Sequence, residues 1–370
     1  MAKIVIFAND ESTIFNFRRE ILEALVKNKH KVIVCYPLGE HSDEIRKIGC
    51  KLINIEVSRH GKNFLQDFKL FIMFREIIKK FRPDVVLTYT VKPNIYGSYA
   101  CVTTKTPYIN NITGLGSVLQ KESILSKFIL FLQKLAYKKS SCVFFQNSEN
   151  CDRMRKKGII SDRVRTYILP GSGVNLQKQA YEKFPLDDGI TRFIIVSRIR
   201  EDKGYNEFFD AAETVKAIHP DTEFHVVGWY EEDSLRSRLD DLTDKGVIIY
   251  HGQKVQEEVH ELVSSCNCLV HPSYHEGMAN VLLEAAATGR PVIGSDIPGC
   301  RETFDDGKTG LSCKPKSSES LVKAMEKIIE MPYEAQVEMG RKGRSKMEKE
   351  FDRQFVAQKY LDEINKIVRK

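Results

Sequence analysis

Two carboxylates and a predicted helix start have the spacing needed to hold a sugar nucleotide. Glu276 lies in a loop, and Glu284, separated from it by seven residues, falls inside a helix predicted to begin near Gly277. A helix N-terminus presents unpaired N–H groups and partial positive charge, so it can hold a diphosphate. The second carboxylate, predicted to lie about two turns along that helix, can accept hydrogen bonds from a ribose diol. The first carboxylate would face the group that is joined to the phosphate.

A second block, far away in the sequence, supplies positive charge. An apolar run from Arg192 ends in a loop that carries Arg198 and Lys203 and closes at Gly204, which is typical of a buried parallel strand followed by a turn. Such loops lie at the carboxyl ends of strands, where open α/β sheets bind ligands. Fixed cations there would stabilise a departing nucleoside diphosphate. Since the chain contains no Asp-x-Asp sequence for a nucleotide-bound divalent cation, we expect no metal ion and no cofactor.

On these residues the chain resembles the large retaining glycosyltransferase family of GT-B fold that carries an E-x7-E motif, known as family 4. The flanking Pro-Ser and Gly-x-Pro-Val-Ile-x-Ser-Asp sequences match as well. The resemblance implies that Glu276 lies beside the donor sugar and Glu284 binds the ribose. It implies that Arg198 and Lys203 bind the diphosphate. The other donor-binding residues that it indicates are Ser197, His275, Gly277, Met278, Ala279 and Asn280.

Alternating strands and helices must position these residues. Six segments in the first half have strand composition, at 3–8, 31–36, 51–57, 84–89, 107–112 and 142–146. A second series begins at Phe193 and continues at 223–228, 247–252, 268–271 and 291–295. Since helical stretches separate most of them, the order predicts two Rossmann-like, doubly wound α/β domains. In the GT-B architecture two such domains face a cleft.

The chain of 370 residues exceeds the size at which one hydrophobic core keeps growing, so two domains are expected. We assign residues 1–175 to an N-terminal acceptor-binding domain and 176–190 to a polar linker. Residues 191–352 form the predicted nucleotide-sugar-binding domain. The resemblance implies that a last helix, within 353–370, crosses back to the first domain.

The first domain departs from the family pattern in two places. Many relatives carry two close glycines after the first strand and a histidine near the reacting sugar; this chain has a polar loop, and His30, His41 and His60 are poorly placed. Its Lys-Pro-Asn and Thr-Gly-Leu-Gly loops instead resemble those of bacterial capsule, O-antigen and exopolysaccharide transferases. The residues assigned to the acceptor side of the cleft are Asn9, Asn16, Lys92, Asn94, Thr113 and Gly114. For the last four, a capped turn is the alternative.

Charge favours an acidic partner. The net charge of +7 suits anionic lipid or nucleic acid, but no nucleic-acid motif occurs. Residues 121–139 predict an amphipathic helix with Lys127, Lys134 and Lys138 on one face and Phe131 among them, a mixture suited to a lipid interface. The alternative is a helix packed on its sheet with a solvated lysine edge, and the two are compatible.

The remaining sequence features bear on the cellular compartment and on metal binding. Because the N-terminal residues predict a first strand, no signal peptide is expected, and no run of 18 apolar residues occurs. Nine unevenly spaced cysteines indicate small buried residues in a reducing cytosol. His271 and His275 are four apart, but Pro272 lies between them ahead of the helix, so a metal site is not expected. We expect a cytoplasmic protein, peripheral at the inner face of the cell membrane.

Together with the resemblance, these features predict an enzyme that moves a hexose or N-acetylhexosamine from a nucleotide-sugar to a lipid-linked, polyprenyl-diphosphate glycan acceptor. The resemblance implies that the donor is a UDP-sugar and that transfer retains the anomeric configuration. UDP is the commonest donor nucleotide in the family. Two alternatives stay open. One is a nucleotide-sugar 2-epimerase of the same architecture, which would be expected to carry acid/base carboxylates in its first domain. The other is a non-catalytic module that binds glycan or membrane.

Overall fold

The computed structural model describes residues 1–57, 64–114, 124–231 and 233–369. The chain divides into two compact units, of which the first combines Met1–Ser172 with Arg353–Lys370 and the second is Gly173–Asp352. In each unit, buried side chains from both faces of one parallel sheet pack against helices. This is the doubly wound α/β arrangement that the alternating elements predict.

A parallel sheet forms the centre of the first unit. Over the described residues its strands are β1 (Lys3–Phe7), β2 (Lys31–Tyr36), β3 (Lys51–Asn54), β4 (Val85–Tyr89), β5 (Tyr108–Ile112), β6 (Cys142–Phe145) and β7 (Thr166–Ile168). They lie in the order β3-β2-β1-β4-β5-β6-β7. Val5, at the centre of β1, pairs with Ile33 of β2 and Val86 of β4. Most of the strands are apolar along their length because helices cover both faces.

The helices of the first unit form two layers. They are α1 (Glu11–Phe15), α2 (Arg19–Lys27), α3 (Ser42–Lys47), α4 (Phe64–Phe81), α5 (Ser98–Thr104), α6 (Ile124–Tyr137), α7 (Ser148–Lys156) and α14 (Arg353–Val368). One layer contains α2 and α14, which pack together through residues such as Leu22 and Tyr360. The other contains α4 to α7, with Phe74 and Tyr137 in its core. A short π-helix, Pro93–Gly97, precedes α5 in the second layer.

The second unit repeats the plan. Its strands in the described chain are β8 (Thr191–Val196), β9 (Thr222–Val227), β10 (Ile248–Tyr250), β11 (Cys268–His271), β12 (Val292–Ser295) and β13 (Gly310–Cys313). Its helices are α8 (Tyr205–Ile218), α9 (Arg236–Asp244), α10 (Gln256–Ser264), α11 (Asn280–Thr288), α12 (Ser318–Ile329) and α13 (Tyr333–Lys346). The strand order is β10-β9-β8-β11-β12-β13, and all pairs are parallel. β8 and β11 are therefore neighbours at the centre of the sheet, and their carboxyl ends lie side by side.

Each strand predicted from the sequence is present, with ends that differ by up to three residues. The prediction missed β7 and β13, which are edge strands of three and four residues and carry little periodic pattern. The polar segment 176–190 packs on the second unit: Glu182 N–H donates to Thr288 O, and the Arg290 guanidinium donates to the carbonyls of Glu182 and Lys183.

Two expectations from the composition, one on the cysteines and one on membrane-spanning helices, can be compared with the structure. All nine cysteines, each in a described range, are buried and unpaired, which confirms them as small core residues. In the described parts of the chain, every helix is too short or too polar to cross a bilayer.

Two stacked histidines give the second unit a dependence on pH. The His225 and His251 ring centroids are 5.3 Å apart, and His225 Nδ1 lies 3.0 Å from His251 Nε2. Burial lowers the pKa of both imidazoles below 6.5, and the Glu223 carboxylate beside His225 only partly opposes this. The unfolded chain therefore takes up these protons at a higher pH than the folded chain. The two neutral imidazoles therefore contribute to the free energy of unfolding above pH 6.5, and this contribution is lost as the pH falls below 6.5.

We accordingly expect the urea midpoint of the second unit to fall between pH 7.5 and pH 5.5. Fluorescence of Trp229, the single tryptophan, reports unfolding of this unit. In His251→Gln the decline should be smaller, because one histidine with a lowered pKa has been removed. His275→Gln, at an exposed position, should retain the wild-type decline. Equal declines in all three proteins would show that the stacked pair does not govern acid sensitivity.

Candidate active site

A cluster of opposite charges lies at the carboxyl ends of β8 and β11. Lys203 Nζ donates to Glu276 Oε1 over 2.6 Å, and His271 Nε2 lies 2.8 Å from the same oxygen. The Lys203 and Glu276 side chains are each only 14% exposed. Burial opposes ionisation of Glu276, but the hydrogen bond from His271 and the charge of Lys203 outweigh it and lower its pKa to about 2. The Glu276 carboxylate is therefore ionised and can only accept hydrogen bonds. His271 Nε2 is the donor in the hydrogen bond between the two side chains.

His271 is a site residue that the sequence prediction missed. Its spacing from His275 suggests only a metal site, which is not expected, whereas the structure places the His271 ring on Glu276 and leaves His275 exposed. His271 is the last residue of β11 and is 3% exposed, and its Nδ1 is buried without a hydrogen-bond partner. In the part of the chain that is described, no group of three His, Cys, Asp or Glu side chains is arranged to hold a metal ion.

Two glycines allow the loops around Glu276 to come close together. A Cβ on Gly204 (φ +77°) would lie 2.2 Å from Pro272 O, and one on Gly299 (φ +86°) would lie 2.8 Å from the carbonyl oxygens of Glu276 and Gly277. Only glycine combines the left-handed conformation with this clearance. The Lys203 loop is thereby pressed against the loop that follows β11.

Gly204→Ala should lower the free energy of unfolding by about 2 kcal/mol, since strain in the left-handed region adds to a backbone clash. Donor turnover should fall with it, because the clash displaces Lys203. Urea denaturation followed by Trp229 fluorescence measures the first effect. Gly246→Ala is the matched control: its φ is also positive, at +70°, but nothing lies within 4 Å of the added Cβ. Equal losses in the two variants would contradict a role for close loop packing.

The α11 helix begins later than the sequence predicts. The expected start near Gly277 is wrong: the first helical residue is Asn280. Met278 and Ala279 are buried in the core, and Ala279 N–H donates to Gly299 O over 2.7 Å instead of entering a helical turn. Glu284 therefore lies about one turn, not two, into the helix.

The remaining predicted donor residues surround the same sheet edge. Arg198 lies just beyond β8, but its Nη1 pairs with the two Glu231 carboxylate oxygens at 3.1 and 2.9 Å, so the structure does not bring it onto Glu276. Ser197 Oγ lies 3.3 Å from the Tyr205 hydroxyl. Asn280 Oδ1 is buried at the start of α11 without a hydrogen-bond partner.

In the first unit, the predicted acceptor residues occupy three places. Asn94, Thr113 and Gly114 line a cavity of about 230 Å³ at the carboxyl ends of β4 and β5. Lys92 lies apart from it, and its ammonium bonds to Asp67 over 2.8 Å. The other two, Asn9 and Asn16, flank the short helix α1, and the side-chain oxygen of Asn9 is buried without a hydrogen-bond partner.

Asn94 has a structural part in this cavity as well. It is buried, its Oδ1 accepts from Thr88 Oγ1 over 2.6 Å, and its Nδ2 donates to Asn111 O over 2.8 Å. Thr90 follows β4 with a left-handed φ of +69° and a buried hydroxyl that lacks a hydrogen-bond partner. Strain of this kind collects at functional sites. Polar lining residues that the sequence prediction missed are Thr90, Asn111, Gln133 and Tyr137.

Comparison with known proteins follows the same division of the chain. Residues 3–147 match the family model for glycosyl transferase 4-like proteins, and residues 177–346 match the model for glycosyl transferases group 1. The chain belongs to the GT4-type glycosyltransferases of GT-B fold. This confirms the family resemblance inferred from the E-x7-E motif.

Relatives of this GT4-type glycosyltransferase include bacterial polysaccharide enzymes. It is 26% identical to the Campylobacter jejuni N,N'-diacetylbacillosaminyl-diphospho-undecaprenol alpha-1,3-N-acetylgalactosaminyltransferase over 97% of each chain. It is 23% identical to the Staphylococcus aureus capsular polysaccharide biosynthesis glycosyltransferase CapM over 85% of this chain and 84% of that one. The crystal structure of Anabaena HepE with UDP and glucose superposes with a TM-score of 0.77 at 17% identity, covering 99% of this chain and 100% of that one. The predicted pair of Rossmann-like domains is confirmed.

Proposed function

We propose that this glycosyltransferase moves a hexose or an N-acetylhexosamine from a UDP-sugar to a lipid-linked, polyprenyl-diphosphate glycan acceptor in bacterial surface polysaccharide synthesis. The observation that carries the proposal is the shielded Lys203–Glu276 pair close to the N-terminus of α11. The relatives support it, because one name specifies a diphospho-undecaprenol acceptor and one structure contains UDP and glucose.

In the proposed donor complex, the diphosphate lies at the N-terminus of α11. The N-cap residue, Ala279, makes no side-chain cap hydrogen bond. Because the N–H groups of Asn280 and Leu282 already donate to Met278 O and Ala279 O, we assign the attraction for phosphate mainly to the partial positive charge of the helix N-terminus. Lys203 and Arg198 stabilise the charge that develops as the bond to the anomeric carbon breaks. Glu276 accepts hydrogen bonds from sugar hydroxyls, and Glu284 accepts them from the ribose.

Transfer is proposed to proceed with retention, on the front face of the donor. The leaving phosphate takes the proton of the acceptor hydroxyl while the new glycosidic bond forms and the old one breaks. The protein positions both substrates and balances charge. Because two cationic side chains can do this for the diphosphate, the proposed reaction uses neither a metal ion nor a cofactor.

The acceptor half of the proposal rests on the first-unit cavity. Its amide and hydroxyl groups, from residues such as Asn94, Thr113 and Gln133, are suited to hydrogen-bonding a sugar. Because a polyprenyl acceptor resides in a membrane, we place the protein on the cytoplasmic side of the cell membrane in peripheral contact with anionic lipid. The net charge of +7 supports this contact, and nucleic acid is not a proposed partner.

Nucleotide release from a panel of UDP-, GDP- and ADP-sugars tests the proposal. One donor, expected to be a UDP-sugar, should yield free nucleoside diphosphate. Arg198→Ala should lower the rate about 100-fold through lost charge stabilisation, and Glu284→Ala about tenfold through lost ribose hydrogen bonds. Arg341→Ala and Glu261→Ala, at exposed positions of the same unit, should leave the rate unchanged.

The same experiment separates the alternatives. A 2-epimerase would convert the donor into a new nucleotide-sugar without any acceptor, whereas a transferase alone gives only slow hydrolysis. If no nucleotide-sugar is turned over or bound, even with lipid extract present, the transferase proposal fails. The chain would then act as a binding module.

A further inference from the structure

The outer side of α6 carries exposed apolar side chains at helical spacing. Ile124, Phe128, Phe131 and Leu135 are exposed, the first by 89% and Phe131 by 55%. Their spacing of three or four residues places them along one stripe. Exposed Lys127, Lys134 and Lys138 follow the same spacing. A stripe of rings flanked by ammonium groups is the arrangement of helices that lie in a membrane interface.

A second stripe lies on α4, in the same layer of helices. Leu65, Phe68 and Ile72 are exposed there, Phe68 by 61%, and Lys69 is exposed beside them. Both α4 and α6 pack against α5 and the π-helix Pro93–Gly97. They therefore cover the same face of the first sheet, and both stripes point away from it. We call these seven apolar residues on α4 and α6 the outer stripe.

Charge identifies what covers the outer stripe. The sequence from Ile124 to Ser148 contains four lysines and no acidic residue. On α4 the carboxylate of Asp67 is engaged by Lys92 and by the Tyr96 hydroxyl, and that of Glu76 is paired with Lys79 and Arg75. Rings bury at the level of lipid headgroups while lysines bind their phosphates. An anionic bilayer satisfies both requirements at once.

The inner side of α6 faces the acceptor cavity. Gln133 and Tyr137 are buried and line it. Tyr99 and Tyr108 hold the helix in place, because their hydroxyls donate to the backbone carbonyls of Leu132 and Ala136 over 3.1 and 2.7 Å. Since a helix with its side chains is about 10 Å across, the cavity lies about one helix diameter from the outer stripe.

We propose that the outer stripe docks on an anionic bilayer and that α6 thereby fixes the acceptor cavity at the bilayer surface. The acceptor sugar enters the cavity while its lipid stays in the membrane. This inference rests on the proposed function for the identity of the acceptor. The docking itself does not depend on it, so the two can fail separately.

Flotation with phosphatidylcholine vesicles, with and without 30% phosphatidylglycerol, tests the docking. The wild-type protein should float with the anionic vesicles only. Phe128→Ser/Phe131→Ser should weaken binding at least about tenfold through lost apolar burial. Ile218→Ser/Leu186→Ser removes exposed apolar side chains from the second unit and should bind as the wild type does. Equal binding by both double variants would overturn the proposal.

Charge is tested in the same assay. Lys127→Gln/Lys134→Gln should weaken binding about fivefold for each lysine removed, because each is worth about that factor near an anionic surface. Lys308→Gln/Lys327→Gln makes the same charge change at exposed positions of the second unit and should have little effect. If both pairs weaken binding equally, net charge and not the outer stripe governs it, and the proposal is wrong.

Transfer assays test the coupling to the cavity. With the donor found in the nucleotide-release panel, Phe128→Ser/Phe131→Ser should lose at least about tenfold in rate on a vesicle-embedded acceptor, matching the lost binding. On the same acceptor sugar carried by a short, water-soluble chain it should keep the wild-type rate. Equal losses on both acceptors would show that α6 merely supports the fold, which overturns the inference. If the wild type transfers to neither, the proposed function fails while flotation still decides the docking.

Discussion

Turnover of the donor should fall about 100- to 1,000-fold when Lys203 is replaced by Met. The substitution removes an ammonium from the place where the leaving diphosphate gains charge, and interactions of this kind contribute about 3–4 kcal/mol to the transition state. It also leaves the Glu276 carboxylate, which is 14% exposed, without its cation. The nucleotide-release assay at saturating donor measures the loss. Lys245→Met, which breaks an exposed pair with Asp241, is the control and should leave donor turnover unchanged.

A double-mutant cycle separates chemistry from folding. Lys203→Met alone should cost about 3 kcal/mol of unfolding free energy, since it strands a buried charge, and the pKa of Glu276 should rise because the Lys203 charge no longer lowers it. Lys203→Met/Glu276→Gln should recover most of the stability, because no unpaired charge remains. Its turnover should stay low. Recovery of turnover together with stability would show that neither side chain takes part in turnover and that the pair only stabilises the fold.

Elements are predictable from this sequence where the pattern is local. The runs around Val5, Val86 and Ile194 are long and apolar, and each proves to be a buried central strand. The sequence places the start of α11 too early because Met278 and Ala279 are good helix formers, and no local pattern shows that they lie outside the helix. There the decisive contact, Ala279 N–H to Gly299 O, joins residues 20 positions apart. Tertiary hydrogen bonding overrides local propensity at that point.

Partners distant in sequence explain most of what was missed at the site. Lys203 and Glu276 lie 73 residues apart, and only the family resemblance placed both at one donor. No spacing indicates that Arg198 pairs with Glu231 or Lys92 with Asp67. One local signal was available: Asn111 is a polar residue in the buried strand β5, and such residues need partners.

The other large effect is expected on stability, at the point where the chain returns to the first unit. Arg353, the first residue of α14, donates from Nη1 to both carboxylate oxygens of Glu20, at 3.1 and 3.2 Å. Both side chains are 7% exposed. Arg353→Met should therefore lower the unfolding free energy of the first unit by about 3–5 kcal/mol. Urea denaturation followed by circular dichroism, with hydrogen exchange at the α14 amides, measures this.

Two variants show whether the loss is electrostatic. Glu20→Gln/Arg353→Met should recover most of the stability, because no buried charge is left unpaired. Lys79→Met breaks an exposed pair with Glu76 in the first unit and should cost no more than about 0.5 kcal/mol. If Arg353→Met cost as little as Lys79→Met, water would be solvating Glu20, and the pair would not be holding α14 in place.

A substitution in α14 should also affect the acceptor cavity. Further along the helix, the Tyr360 hydroxyl donates to Asn111 Oδ1, and Asn111 lines that cavity. Tyr360→Phe should keep the ring packing of Tyr360 on Phe144 while leaving the buried amide oxygen of Asn111 without its donor, at a cost of about 1–3 kcal/mol. If the cavity binds the acceptor, KM for the acceptor should rise in Tyr360→Phe while KM for the donor stays unchanged. The last helix would then support acceptor binding as well as the fold of the first unit.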